Sequence, residues 1–223
     1  MKFFQPLLCL LSFVGLALGS APSDNYYQNH LTFGAPMTTR LPFRFHHITP
    51  EPYNYSQVEG KIDLNQIVNI AENTWNFIQA NKPTVDINTN FANAVPQGVT
   101  NWTQLENWQD PMSECYQVEY TNGFGMNVVG FTYCVVYTPG GDYNGKGLYL
   151  NHVQIIPSDI QVSWGYKLDA VTTVPSISNS GSTDNPVASA EVHMKFSVTT
   201  AIKKDSQEHA YYVKGDGSFM SLN

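Results

Sequence analysis

The stretch Cys115-Tyr116-Gln117-Val118-Glu119-Tyr120-Thr121-Asn122-Gly123-Phe124-Gly125-Met126-Asn127-Val128-Val129-Gly130-Phe131-Thr132-Tyr133-Cys134 decides the fold class. Apolar and polar side chains alternate on both sides of Asn122-Gly123-Phe124-Gly125, the period of strands with one dry and one wet face. Folded as an antiparallel hairpin with Cys115 opposite Cys134, it sets Tyr116 against Tyr133, Val118 against Phe131 and Tyr120 against Val129 on one face. The other face then carries a disulfide, with Gln117 against Thr132, Glu119 against Gly130 and Thr121 against Val128. A slip of one residue would break both the bond and the sorting of side chains, so two constraints fix one register. A tight Asn122-Gly123 turn, a strong hairpin signal in isolation, would put Cys115 opposite Gly130, and a turn centred on Phe124-Gly125 is expected instead. A bulge near Gly130 is the irregularity that would shift this pairing.

The alternation continues outward from the hairpin. It reappears from Leu148 to Ile156, in two long runs from Ile160 to Val174 and from Val187 to Ile202, and from Glu208 to Lys214. In the first long run Ile160, Val162, Trp164, Tyr166 and Leu168 share a face; in the second Ala190, Val192, Met194, Phe196, Val198 and Ile202 do. Turn-rich segments at Thr138 to Gly147, Ser176 to Pro186 and Gly215-Asp216-Gly217 separate the strands. Before this region, Asp63 as N-cap, Gln66 as its capping-box partner and Ile62 with Ile67 as a hydrophobic staple predict a helix running to about Asn81. Leu64, Ile67, Val68, Ala71, Trp75 and Ile78 would form its buried stripe. The expected fold is mainly β: an antiparallel β-sandwich or strongly twisted sheet with one N-terminal amphipathic helix packed on it.

Residues 1–19 combine Lys2, an apolar run from Pro6 to Leu18 and the small residues Ala17 and Gly19, the pattern of a cleaved secretory signal peptide. The run is shorter than the roughly 20 residues that span a bilayer. Pro22, Pro36, Pro42, Pro50 and Pro52 mark residues 20–60 as an extended arm containing prolines and aromatics, which leaves 61–223 as a single helix-plus-sheet domain. Export makes the protein extracellular. It also makes a disulfide the default for Cys115 and Cys134, since Cys9 leaves with the signal.

Of 223 residues only 13% are charged, with 18 acidic against 11 basic side chains and a net charge of -7. Such a chain has no basic surface for a phosphate backbone, which excludes nucleic acid as a partner. No nucleophile elbow, His-Glu-x-x-His or phosphate-cradling glycine loop occurs, so no catalytic residue, metal or cofactor is assigned. The strongest polar group is Glu191, His193 and Lys195 on one wet face, with a register that would set His193 against Asp169 of the neighbouring strand. An ordinary solvated sheet face accounts for it. His46-His47 points its rings apart on an extended arm, and the oxygen-rich loops Gly141 to Gly145 and Ser182 to Asn185 read as turn chemistry.

Asn54-Tyr55-Ser56 and Asn101-Trp102-Thr103 are glycosylation sequons, making Asn54 and Asn101 candidate acceptors. Asn101 opens a segment in which Trp102 and Trp108 stand among amides and carboxylates, the groups that stack on sugar rings and bind their hydroxyls. Trp102, Leu105 and Trp108 are also spaced three apart, as in a short amphipathic lid. Trp102 and Trp108 are therefore the candidate ligand-binding residues. The expected function is a secreted, non-catalytic interaction module with a glycan or an extracellular protein as partner. The alternative is a membrane-active protein that inserts the 160–202 amphipathic hairpin as pore-forming strands do, with membrane contact under that reading alone.

Overall fold

A computed structural model describes residues 36–41, 61–81, 84–88 and 90–223. The strands are β1 (Met37–Leu41), β2 (Asp63–Val68), β3 (Thr74–Asn81), β4 (Thr84–Ile87), β5 (Ala92–Gln97), β6 (Met112–Thr121), β7 (Asn127–Tyr143), β8 (Lys146–Val162), β9 (Lys167–Asn179), β10 (Ala188–Thr199), β11 (Lys204–Lys214) and β12 (Phe219–Ser221). They form two six-stranded antiparallel sheets, in the orders β1-β6-β7-β8-β5-β2 and β12-β11-β10-β9-β3-β4. The chain is mainly β, and among the described residues the only helical element is a 3-10 turn at Trp102–Gln104. The predicted signal peptide, Asn54, the His46-His47 pair and most of the 20–60 arm lie outside the described residues.

An aromatic layer joins the sheets. Tyr120 and Phe131 meet the ring of Phe196, and Tyr116 and Tyr133 meet that of Tyr211. Each buried hydroxyl on this layer has a partner, as burial requires: Tyr133 and Tyr211 bond each other, and Tyr120 donates to Asp205 at 3.1 Å. Burial, reinforced by neighbouring ionisable groups, pushes the Tyr120 and Tyr133 phenols far above their ordinary range and keeps them neutral.

The hairpin register is the one expected. Cys115 pairs with Cys134, Tyr116 with Tyr133, Val118 with Phe131 and Tyr120 with Val129. The Sγ atoms are bonded, with Cα atoms 4.0 Å apart, close to the spacing of a directly opposed pair without backbone hydrogen bonds. The irregularity falls beyond Tyr120 rather than at Gly130: Thr121 pairs with Asn127, so Val128 is the extra residue. The turn accordingly differs by one position. Gly125 donates to the Asn122 carbonyl at 2.9 Å and has φ +77°, giving a three-residue loop with Phe124 at its centre and a glycine in the left-handed region.

The predicted helix at 63–81 is not formed; the segment makes β2 and β3. Asp63 does accept a hydrogen bond from Asn65 N, at 3.0 Å, but as a local turn and not as a helix cap. Asn69 then ends β2: its Oδ1 accepts from Ala71 N and Asn93 N, and its Nδ2 donates to the Glu72 carbonyl. Asparagines inside the supposed helix satisfy backbone groups in a loop, the competition that lowers their helix propensity. The three-residue spacing of Trp75 and Ile78 comes from a bulge in β3 between Asn76 and Ile78, which brings Trp75, Phe77, Ile78 and Ala80 to the interior. A period of two interrupted by a bulge looks helical in sequence.

Two further expectations are corrected by register. The run from Ile160 to Val174 is broken by a turn, with Gly165 at φ +85° and Trp164 exposed, so Ile160 and Val162 end β8 while Leu168 belongs to β9. A bulge between Glu191 and His193 sets His193 opposite Thr173 on β9, and Asp169 faces Ser197 instead. Thr138 to Gly147 is also less of a turn than its glycines suggest, because β7 runs to Tyr143 and returns as β8 through Asn144 and Gly145 alone.

Candidate functional site

The segment between β5 and β6 carries both candidate tryptophans, and it is held locally. Asn101 Oδ1 accepts from Thr103 N at 2.9 Å, while Gln104 Oε1 accepts from Asn101 N at 3.0 Å and Thr100 N at 2.8 Å. This reciprocal cap fixes the 3-10 turn and the backbone of Trp102. Further on, Glu106 and Asp142 exchange backbone hydrogen bonds of 2.9 Å, and Asn107 Nδ2 reaches Asp142 Oδ2 at 2.6 Å. The far end is thereby stitched to the tip of β7. Asp142 Oδ1 also accepts from Gly145 N at 2.7 Å, so the carboxylate of this oxygen-rich loop is committed to turn bonds.

The two indoles have different surroundings. Trp108 lies on the backbone of Gly141, where a Cβ would sit 2.5 Å from the ring, and its buried indole nitrogen has no hydrogen-bond partner. Together with buried Leu105 it packs at the edge of the core. Trp102 is half-buried and meets the His152 ring in a T-shaped arrangement with centroids 5.7 Å apart, while Phe91 stacks on His152 at 4.6 Å. His152 holds a left-handed backbone, φ +49°, with its N–H bonded to Asn151 Oδ1 at 2.9 Å. Burial lowers its pKa, so the imidazole in this aromatic corner is neutral at pH 7. Sequence reading missed Phe91 and His152, which only pairing of β5 with β8 brings near Trp102.

The disulfide face of the first sheet holds a concavity of about 450 Å³. Gly130 and the Cys115–Cys134 bond border it, and its polar groups come from Gln117 and Glu119 on β6, Asn127 on β7, and Ser158, Asp159 and Gln161 on β8. Gln117 Nε2 and Asn127 Nδ2 both donate to Glu119 Oε1, at 3.2 and 3.1 Å. β8 is bulged here: Gly130 pairs with Gln161 but Thr132 pairs with Ser158, and Asp159 takes φ +50° in the extra stretch. The one sequence signal for this feature is Gly130, a glycine in the interior of an alternating strand.

On the outer face of the second sheet, His193 Nε2 contacts Glu191 Oε1 at 2.6 Å and its Nδ1 contacts Glu208 Oε1 at 2.7 Å. Desolvation acts to lower its pKa, but the hydrogen bonds and charges of the two carboxylates outweigh it and the net shift is upward. With both nitrogens bonded to carboxylates the imidazolium donates twice. No lone pair is then left for proton abstraction or metal ligation. Lys167 pairs with Asp169 at 3.0 Å on the same sheet. Among the described residues no group of three or more His, Cys, Asp or Glu side chains is arranged to hold a metal ion. Comparison with protein families, with curated proteins and with solved structures finds no match for this chain.

Proposed function

We propose that the protein is a secreted, non-catalytic β-sandwich interaction module that recognises carbohydrate through the corner built by Trp102, Phe91 and His152. The observation that carries this reading is the half-buried Trp102 ring, held by a reciprocal cap in the turn between β5 and β6 and flanked by a neutral imidazole. Preorganised aromatic surface of this kind suits the apolar face of a sugar ring, and fixing it beforehand lowers the ordering cost of binding. Trp108, committed to Gly141, is left out of the proposed ligand contact. Asn101 is adjacent, so a glycan attached there would compete for the same corner. The test is a glycan-array screen of secreted protein carrying Thr103→Ala, which removes the sequon and keeps the Asn101 cap, with and without Trp102→Ala. Binding that disappears in the tryptophan variant at an unchanged melting temperature supports the reading, and a parent that binds no glycan retires it.

The membrane-active reading retains one specific observation. β9 and β10 form a hairpin that buries Leu168, Ala170, Val192, Met194 and Phe196 on one face and turns Thr173, Lys195 and Thr199 outward. Insertion would first require breaking the ladders of β9 with β3 and of β10 with β11, both continuous over much of their length. Dye release from anionic liposomes separates this reading from the first.

A further inference from the structure

We infer that the concavity on the disulfide face is a second binding site, independent of the Trp102 corner, and that its ligand is a small polyol bearing a protonated amine, of the hexosamine class. The two places are distinct. Ser158 follows His152 by six positions along β8, which at about 3.3 Å per residue separates them by roughly 20 Å.

Two departures from regular sheet meet at this spot, on facing strands. Gly130 occupies a strand interior, where glycine is less favourable than alanine, yet its backbone does not require it: its φ is not positive, and a Cβ would meet nothing closer than 3.5 Å. The side chain is therefore dispensable for folding and absent where it would fill the concavity, which is how glycine marks close approach of a ligand. On the facing strand, the β8 bulge carries Asp159 to the rim in a left-handed conformation, the re-aiming that bulges provide next to sites.

The lining selects the ligand. Glu119 and Asp159 supply negative charge, amides of Gln117 and Gln161 and the Ser158 hydroxyl supply donors and acceptors, and no Lys, Arg or His contributes. Phosphorylated or carboxylated ligands would meet two carboxylates without a counter-charge. Phe131 reaches the lining but is itself 1% exposed, so no aromatic face is offered for stacking. Recognition must rest on hydrogen bonds and charge. A volume of about 450 Å³ admits one ring with its substituents, within the 300–1,000 Å³ typical of small-ligand sites.

The experiment titrates the secreted protein with glucosamine at pH 6.5, below the amine's pKa, and with glucose and glucose 6-phosphate as comparators, following heat and amide shifts. Glucosamine should bind saturably, at least tenfold more tightly than either comparator, with shifts at Gly130, Thr132 and Gln161. Gly130→Leu should abolish binding while leaving the fold intact, and Asp159→Asn, which keeps the shape, should weaken it about tenfold or more, as loss of a charge-assisted contact does. Gly130→Ala should fold as the parent does and bind more weakly, between the parent and Gly130→Leu, and Trp102→Ala should bind as the parent does. Absence of saturable glucosamine binding, equal affinity for glucose, or insensitivity to both Gly130→Leu and Asp159→Asn each overturns the assignment. Loss of binding in Trp102→Ala alone would overturn it too and leave the Trp102 reading standing.

Discussion

Removing the disulfide should destabilise the protein by about 3 kcal/mol. The bond closes a loop with a sequence separation of 19, for which loop-closure entropy in the unfolded chain gives about 3 kcal/mol. Two features of the structure act on that figure in opposite directions. The β6–β7 ladder runs without a break from Met112 opposite Tyr137 to Tyr120 opposite Val129, so a reduced chain retaining part of this hairpin would lose less. The cysteines are also buried, 2% and 3% exposed, against Val136 and Ile156, so truncating both to alanine adds a packing loss. The perturbation is therefore the double variant Cys115→Ala/Cys134→Ala, measured by urea unfolding and calorimetry against the oxidised parent. For a chain of this length about 3 kcal/mol corresponds to a melting temperature lower by roughly 6–12 °C. Reduction of the parent should reproduce most of the change, and the reductant should leave the double variant unaffected. A loss under about 1 kcal/mol would show that the register is held by the side-chain faces alone and that the bond is incidental to stability.

Two other outcomes follow from specific contacts. Gly141→Ala places a Cβ about 2.5 Å from the Trp108 ring and should cost about 1–3 kcal/mol as overpacking, with a red-shifted tryptophan emission as the indole moves outward; an unchanged spectrum and stability would mean that Trp108 does not close this edge. For His193 the folded pKa lies above the unfolded value near 6.5, so its contribution is fully present below that value and is lost as pH rises through the raised folded pKa. His193→Gln should accordingly destabilise at pH 5–6 and be close to neutral above pH 8, read by paired denaturation curves; a pH-independent difference would refute the double carboxylate clamp.

How much was legible in the sequence differs sharply between elements. The Cys115–Cys134 hairpin could be read directly because its two constraints are local and agree: an alternation of period two and a bond with a short reach. The same held for the dry face of β10 from Ala190 to Val198, whose partner β11 is its neighbour in the chain, but Ile202, expected on that face, lies beyond the end of the strand and is exposed. At Asp63–Asn81 local signals pointed to a helix, since Asp63 and Gln66 imitate a cap and a bulge at Asn76 gives Trp75 and Ile78 a helical spacing. What overrode them lies far away in sequence, namely β9 and β5 offering ladder partners to β3 and β2. Tertiary pairing outweighs the small differences in propensity on which a helix assignment rests.

The candidate sites divide along the same line. Trp102 and Trp108 stood out by composition, yet only the tertiary structure separated their surroundings, seating one on the Gly141 backbone and leaving the other beside His152. The concavity left a single irregularity in the sequence, Gly130, because its β8 wall depends on a bulge that no hydrophobic period records and on the pairing of β8 with β7. Sequence alone determined what neighbouring residues can settle between themselves: the strand period, the disulfide register and the mainly β class. The three-dimensional structure decided everything that depends on which distant strands meet, because a β-ladder draws its hydrogen bonds from another segment of chain and a bulge shifts every partner beyond it.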